Sequence, residues 1–243
     1  MTEQQETRTA VSGLSGRSHK EIPQATVARL AVYLRVLGVL LDDGTAIVSS
    51  EELAAAAGVG SAKLRKDLSF LGPNGVRGVG YDVAKLLSRI EGALGVDRGH
   101  RVVMVGVGHL GRALAAYGGF GRRGFTLVGL FDSAAGVVGE QVAGLVVRSV
   151  AELASACAAL EPTVAVVAVP DTAAQSTCDA LVQAGVRGIL NFTSVALEVP
   201  ERVSVRHVDL AVEMQMLSFD SARQDSAYEA EVVELRAAEQ DRW

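Results

Sequence analysis

Residues 102 to 120, VVMVGVGHLGRALAAYGGF, restrict the fold more than any other stretch of the chain. An apolar strand runs into a Gly-x-Gly-x-x-Gly loop and then into a helix. Gly106 permits the tight turn, Gly108 lets backbone approach a pyrophosphate, and Gly111 lets helix and strand pack closely. Val107, His109 and Leu110 complete the loop. The helix N-terminus near His109 offers N–H groups and a positive dipole end to phosphates. The next apolar run, FTLVGLFD, ends in Asp132, 21 positions after Gly111. That is where an acid bonds the adenosine ribose hydroxyls. Asp132 also repels a 2′-phosphate, and Ser133-Ala134-Ala135 holds no arginine to bind one. The pattern therefore points to NAD(H) over NADP(H). The alternative is a glycine turn needed for packing alone, or one adapted to another nucleotide such as coenzyme A.

From the loop onward the chain alternates between strand and helix patterns. Strands are predicted at 101–106, 125–131, 163–169 and 187–190, with a weaker one at 203–207. Helices fill most of the gaps, and Ser149 with Glu152 predicts a capping box. Such alternation specifies a doubly wound parallel sheet with helices on both faces. Two later loops, Val169-Pro170-Asp171 and Asn191-Phe192-Thr193, fall at strand ends where the nicotinamide half of a dinucleotide lies. From Val208 a helix, DLAVEMQMLSF, is apolar on most of its circumference. Such a helix must be buried, and little of its own domain remains to bury it. A dehydrogenase also needs an acid–base group and a substrate site. None of His19, His100, His109 and His207 has a carboxylate partner by motif. A hydride would have no destination.

The first hundred residues read differently. A helix spans 23–41, with Pro23 in its first turn. Ser49 and Glu52 form a capping box that opens a second helix. After Gly58-Val59-Gly60 a third helix runs SAKLRKDLSFL and stops at Gly72-Pro73. Leu64, Leu68 and Leu71 make its apolar stripe; Lys63, Arg65, Lys66 and Ser69 lie opposite. Asn74-Gly75 is a strong hairpin-turn dipeptide, and VRGVGY follows as a wing with Arg77 and Gly78 at its tip. Asp82 caps a fourth helix that ends at Gly95. A helix-turn-helix with a basic second helix and a wing is a DNA-binding pattern. Arginine and lysine there reach guanine edges or phosphates, Ser61 and Ser69 bond phosphates, and Arg77 suits a narrow minor groove.

Net charge bears on this reading. The chain carries −5 overall, which excludes a uniformly basic coat but not a local patch. Residues 60 to 81 carry +3, and residues 220 to 243 carry −4. At 243 residues and 49% hydrophobic, the chain can bury a sizeable core. No uninterrupted apolar run approaches the ~20 residues of a membrane span. Cys157 and Cys178 have no metal-ligand spacing and read as buried thiols in a reducing cytoplasm. The expected organisation is a polar, disordered leader at 1–20 and a winged-helix domain at 21–96. A dinucleotide-binding domain follows at 97–207, with the apolar helix and an acidic tail at 208–243.

Five segments together resemble the Rex family of redox-sensing transcriptional repressors: IPQATVARLAVYLRVL, SSEELAAAAGVGSAKLRKDLSFLG, VRGVGYDV, VVMVGVGHLGRALAAYGGF and GILNFTSVALEVPERVSVRHVDL. RKDLS-x-LG and RGVGY are the most specific elements. The resemblance implies an α/β chain with an N-terminal winged-helix domain, a Rossmann-like sheet, and a C-terminal helix swapped into the partner of a homodimer. It implies a cytoplasmic repressor of double-stranded operator DNA, an inverted repeat, released by NADH with NAD+ competing. It implies no enzymatic activity. By position it assigns Lys63, Arg65 and Lys66 to the recognition helix and Arg77-Gly78 to the wing. Gly106, Gly108, Gly111 and Asp132 become the dinucleotide grip. Tyr117 falls near the nicotinamide, and Arg35 with Asp209 becomes a charged pair coupling the domains. NFTS replaces the family's more frequent NFAP around Thr193. Two other readings stay open: an NAD-dependent oxidoreductase with a DNA-binding appendage, and a repressor answering another nucleotide such as coenzyme A.

Overall fold

The computed structural model describes residues 22–76, 78–219, 221 and 223. The predicted leader, Arg77 and nearly all of the acidic tail lie outside the described residues. The chain divides between Arg98 and Gly99 into two compact units.

The first unit contains α1 (Gln24–Asp42), β1 (Ile47–Val48), α2 (Ser50–Ala56), α3 (Ser61–Ser69), β2 (Tyr81–Asp82) and α4 (Val83–Leu94). Ser49 Oγ accepts from the Glu52 N–H at 3.1 Å, and the Glu52 carboxylate accepts from the Ser49 N–H at 2.9 Å. The predicted capping box thus fixes where α2 begins. Leu30, Tyr33 and Leu37 of α1 meet Leu64 and Leu68 of α3 and Ile90 of α4 in one buried core. By length and a mean hydropathy of 1.5, α1 also satisfies a membrane-span criterion. Arg29 and Arg35 interrupt it, so it is not an uninterrupted apolar run. Its three fully buried side chains make it the central helix of this unit.

Asn74-Gly75 is not the hairpin turn. The turn closes between Val76 and Gly80, which exchange backbone bonds of 3.1 Å in both directions. Asn74 instead anchors the root of the wing. Its amide donates to the Leu68 carbonyl at 2.8 Å and the Gly72 carbonyl at 2.7 Å. Its oxygen accepts from Arg89 of α4 at 2.6 Å. Gly80 has φ +109, and a Cβ there would lie 2.5 Å from the Val48 carbonyl oxygen, so the strand returning from the wing tolerates only glycine.

The second unit contains β3 (His100–Val105), α5 (His109–Ala115), β4 (Phe125–Asp132), β5 (Gln141–Val142), β6 (Leu145–Ser149), α6 (Leu153–Leu160), β7 (Val164–Val167), α7 (Asp171–Gln183), β8 (Gly188–Asn191) and β9 (Ser204–His207). A final helix, α8, spans Leu210–Phe219. The described strands order as β5-β6-β4-β3-β7-β8-β9, all neighbours parallel except β5 with β6. This is a doubly wound sheet whose strand order reverses beside β3. Burial alternates along β3: Val103 and Val105 join the core on one face, Val102 and Met104 the core on the other. Period-two alternation between two apolar layers explains why β3 reads as a continuous hydrophobic run.

Two expectations are corrected here. The gap between β4 and α6 holds a β5–β6 hairpin, and β6 joins the parallel sheet beside β4. Ser149 and Glu152 make no reciprocal box: Ser149 Oγ accepts from the Ala151 N–H at 3.3 Å, while Glu152 pairs with Arg148 at 2.8 Å. Arg148, four residues before it, competes successfully for the carboxylate. Helix α8 is left uncovered by the described residues, in keeping with the expectation that little of its own domain remains to bury it; Leu210, Met214, Leu217 and Phe219 are each more than 60% exposed.

Candidate functional site

The crevice at the reversal of strand order is built by backbone. Gly106 follows β3 with φ +95, and a Cβ on it would lie 2.3 Å from the Ala168 carbonyl oxygen after β7. A Cβ on Gly111 would lie 2.0 Å from the Gly106 carbonyl oxygen. These two glycines are demanded by close approach. Gly108 is different: a Cβ there meets nothing within 4 Å. It borders open space. Val107 is buried, whereas Gly108, His109 and Leu110 are exposed at the start of α5.

Asp132 ends β4 beside this loop. Its carboxylate accepts from the Val107 N–H at 2.7 Å and from the Ala134 N–H at 2.8 Å. The acid is thus fixed at the lip of the glycine turn. A carboxylate has about four acceptor positions, so two remain for further donors.

The loops after β7 and β8 are tied to each other. Val169 and Pro170 precede α7, and Asp171, its first residue, accepts from the Ser194 N–H at 3.0 Å and from the Ser194 hydroxyl. These bonds, the hydroxyl first, hold the Asp171 carboxyl below the usual carboxylate range. Buried Asn191 accepts from the Thr193 N–H at 3.0 Å and its hydroxyl at 2.9 Å, and donates to the Val195 carbonyl at 2.8 Å. His207 Nε2 donates to the Thr193 carbonyl at 2.6 Å. Phe192 is half-buried in the core on the α5 side of the sheet. In this chain the NFTS variation therefore makes a closed polar turn, with Ser194 supplying both donors to Asp171. The role of Ser194 was not legible by motif. Tyr117 stands 47% exposed after α5, edge-on to Phe120 at 5.2 Å between ring centroids.

In the first unit, α3 presents Lys63, Arg65, Lys66 and Ser69 outward and Ser61 half-exposed. Ser69 Oγ donates back to the Lys66 carbonyl at 2.7 Å. Gly78 lies in the exposed turn of the wing. The inward side of α3 carries a charge that the stripe of leucines conceals. Asp67 is 2% exposed and accepts from Thr26 at 3.0 Å, Tyr33 at 2.9 Å and both Nε and Nη2 of Arg29 at 2.5 and 2.7 Å. The Arg29 guanidinium, followed by the Tyr33 and Thr26 hydroxyls, holds the Asp67 carboxyl low against its burial. Burial, followed by the bond to Asp67, pushes the Tyr33 hydroxyl up to about 12. This network ties α3 to α1. Asp67 lies three residues after Leu64 and beside Leu68, a spacing that marks the inward face.

Arg35 is exposed on α1. Asp209 accepts from the Ala211 N–H at 2.8 Å and the Val212 N–H at 3.3 Å, which makes it the N-cap of α8.

Comparison with known proteins agrees with both units. Residues 21–69 match the family described as "Putative DNA-binding protein N-terminus", and residues 97–195 match the family described as "CoA binding domain". The redox-sensing transcriptional repressor Rex of Streptomyces coelicolor is 51% identical over 215 residues, covering 86% of this chain and 83% of that protein. The chain belongs to the Rex family. Rex of Syntrophomonas wolfei is 42% identical over 199 residues, covering 82% of this chain and 95% of that protein. A solved Rex-family repressor, RSP, superposes with a TM-score of 0.78 at 30% identity, covering 86% of this chain and 98% of its own. RSP has also been solved with β-NADH, and with β-NAD+ and operator DNA. This chain is thus a redox-sensing transcriptional repressor of the Rex type, with a DNA-binding first unit and a Rossmann-like second unit.

Proposed function

We propose that this chain binds an inverted-repeat operator as a homodimer and releases it when NADH occupies the crevice beside β3. The observation that carries this reading is the backbone-lined crevice of Gly106, Gly108 and Gly111 with Asp132 fixed at its lip, in one chain with the basic face of α3. The complexes of RSP with NADH, and with NAD+ and operator DNA, support it. Here the dinucleotide is a signal and no hydride acceptor is needed, so the chain is read as non-enzymatic and cytoplasmic.

In this reading Val107, His109 and Leu110 lie along the pyrophosphate. Tyr117, Val169, Pro170, Asn191 and Phe192 surround the nicotinamide. Lys63, Arg65, Lys66, Ser61 and Ser69 face the major groove, with Arg77 and Gly78 in the minor groove. The domains run 21–96 and 97–207, and 208–243 carries the helix that crosses to the partner. That crossing supplies cover for the exposed apolar residues of α8 and brings Asp209 to Arg35 of the second copy. The test is a mobility shift of operator DNA across a titration of NADH, with and without NAD+. Release by NADH, opposed by NAD+, is expected; DNA binding indifferent to both overturns it.

The match of residues 97–195 to a CoA-binding family favours one second reading, a repressor answering coenzyme A. Ligand-induced melting shifts with NADH, NAD+ and coenzyme A separate the two. A turnover assay on alcohols and hydroxy acids separates both from an NAD-dependent oxidoreductase.

A further inference from the structure

Arg65 differs from the other two cations on the outer face of α3. Lys63 and Lys66 make no ion pair among the described residues. Arg65 Nη1 donates to Glu51 Oε1 and to Ser50 Oγ of α2, each at 3.1 Å, and Ser50 Oγ donates to Glu51 Oε2 at 3.1 Å. The three side chains form a closed triangle. Arg65 and Glu51 are both exposed, at 52% and 68% of their side-chain surface. Exposed pairs of this kind contribute little to stability. A carboxylate beside the basic face also repels phosphate. Glu51 also lies in the first turn of α2, where an acid suits the helix dipole, but that place gives its bond to Arg65 no purpose.

Geometry supplies one. The triangle lies on the wall of a groove of about 670 Å³ between the α2–α3 corner and the wing, where Ser69, Asn74 and Val79 also face. Nη1 is held from the α2 side, while Nε and Nη2 have no hydrogen-bond partner among the described residues. These two nitrogens form a flat pair of parallel donors. That pair matches the O6 and N7 acceptors of guanine. An unanchored arginine has several rotors to order on binding and bonds any nearby phosphate; an anchored one presents a single edge.

We propose that Glu51, with Ser50, is a specificity-determining positioning residue that holds Arg65 ready for a guanine of the operator. The proposal rests on the DNA-binding reading of α3. It predicts that Glu51 lowers affinity for DNA in general while raising discrimination among sequences.

The test uses the full chain without NADH and a duplex selected from a random library by the wild-type protein, compared with a scrambled duplex at fixed salt. Glu51→Ala is expected to bind the scrambled duplex more tightly and to lose roughly tenfold in the ratio of selected to scrambled affinity, the scale of one bidentate base contact. Glu51→Gln, whose amide oxygen still accepts from Arg65, is expected to keep most of the ratio. In an Arg65→Ala background, Glu51→Ala is expected to leave the ratio unchanged. One 7-deazaguanine substitution is expected to weaken wild type but not Arg65→Ala. A Glu51→Ala protein that gains equally on both duplexes overturns the proposal, as does an equal loss of ratio with and without Arg65. Failure of the wild type to select any sequence overturns instead the DNA-binding reading beneath it.

Discussion

Asp67 and Tyr33 share a hydrogen bond of 2.9 Å between the inward side of α3 and the middle of α1. The helix that carries the outward cations is therefore fixed from behind by a buried carboxylate, not by leucine packing alone. Removing one partner of a buried charged network leaves the other without compensation, and that loss exceeds the net worth of the pair.

Tyr33→Phe removes one hydrogen bond to a charged acceptor and should destabilise the first unit by about 1.5–3 kcal/mol. Asp67→Ala should cost more, about 3–5 kcal/mol. Denaturant unfolding monitored by circular dichroism checks the order. Equal stability of wild type and Asp67→Ala would show that α3 is held by its leucines.

The same network sets a pH window. The Asp67 carboxyl is lowered from its ordinary 3.8, so its contribution is present above that value and lost as pH falls through the folded pKa. Tyr33 is raised from 10.0 to about 12, so its contribution is present below 10.0 and lost as pH rises toward 12. Melting temperature against pH should show an acid limb that Asp67→Asn flattens and an alkaline limb that Tyr33→Phe flattens.

Asp132→Ala takes away the acceptor for two backbone N–H groups and, in the proposed reading, the partner of the ribose hydroxyls. NADH binding should weaken, and the preference over NADPH should narrow because a repulsive carboxylate has gone. Calorimetric titration with both nucleotides checks it. A wild-type protein that takes NADPH as tightly as NADH refutes the role of Asp132.

Lys66→Ala removes an exposed cation of α3. If Lys66 reads a base, operator affinity should fall by about 1–3 kcal/mol with relaxed preference at one position. If it touches phosphate, all sequences should weaken alike and the salt slope should fall by about one. Unchanged affinity at every salt concentration would remove Lys66 from the interface.

Truncation before Val208 tests the role of α8. NADH should still bind through the glycine loop, but NADH-controlled release of DNA should be lost, since a ligand that favours neither dimer arrangement shifts nothing. A folded, dimeric truncation that releases DNA at the same NADH concentration would exclude α8 from the switch.

Much of this was legible beforehand, for local reasons. β3, the glycine loop and Asp132 stand in one stretch of about thirty residues whose spacing is imposed by the turn itself. Capping at Ser49 and Asp82 is likewise decided within four residues. What escaped depends on the fold. The β5–β6 hairpin is too short to show a period, and Asn74-Gly75 has the composition of a turn but serves as an anchor because Leu68 and Arg89 lie within its reach. Asp67 is the one acid in residues 60 to 81; only the helical phase relative to Leu64 and Leu68 hints that it points inward, and its partners lie 34 to 41 positions away. Ser194 and Glu51 could be assigned only once Asp171 and Arg65 were seen beside them.

The exposed apolar helix α8 bears on dosage. If its cover comes from a second copy, the number of pairs able to act rises with the square of chain concentration when copies are scarce, and dilution silences the regulator as surely as ligand does. Expression level then becomes a second input to the sensor. A cell making too little of this protein would lose repression whatever its redox state, and one making more would need more NADH to lift it.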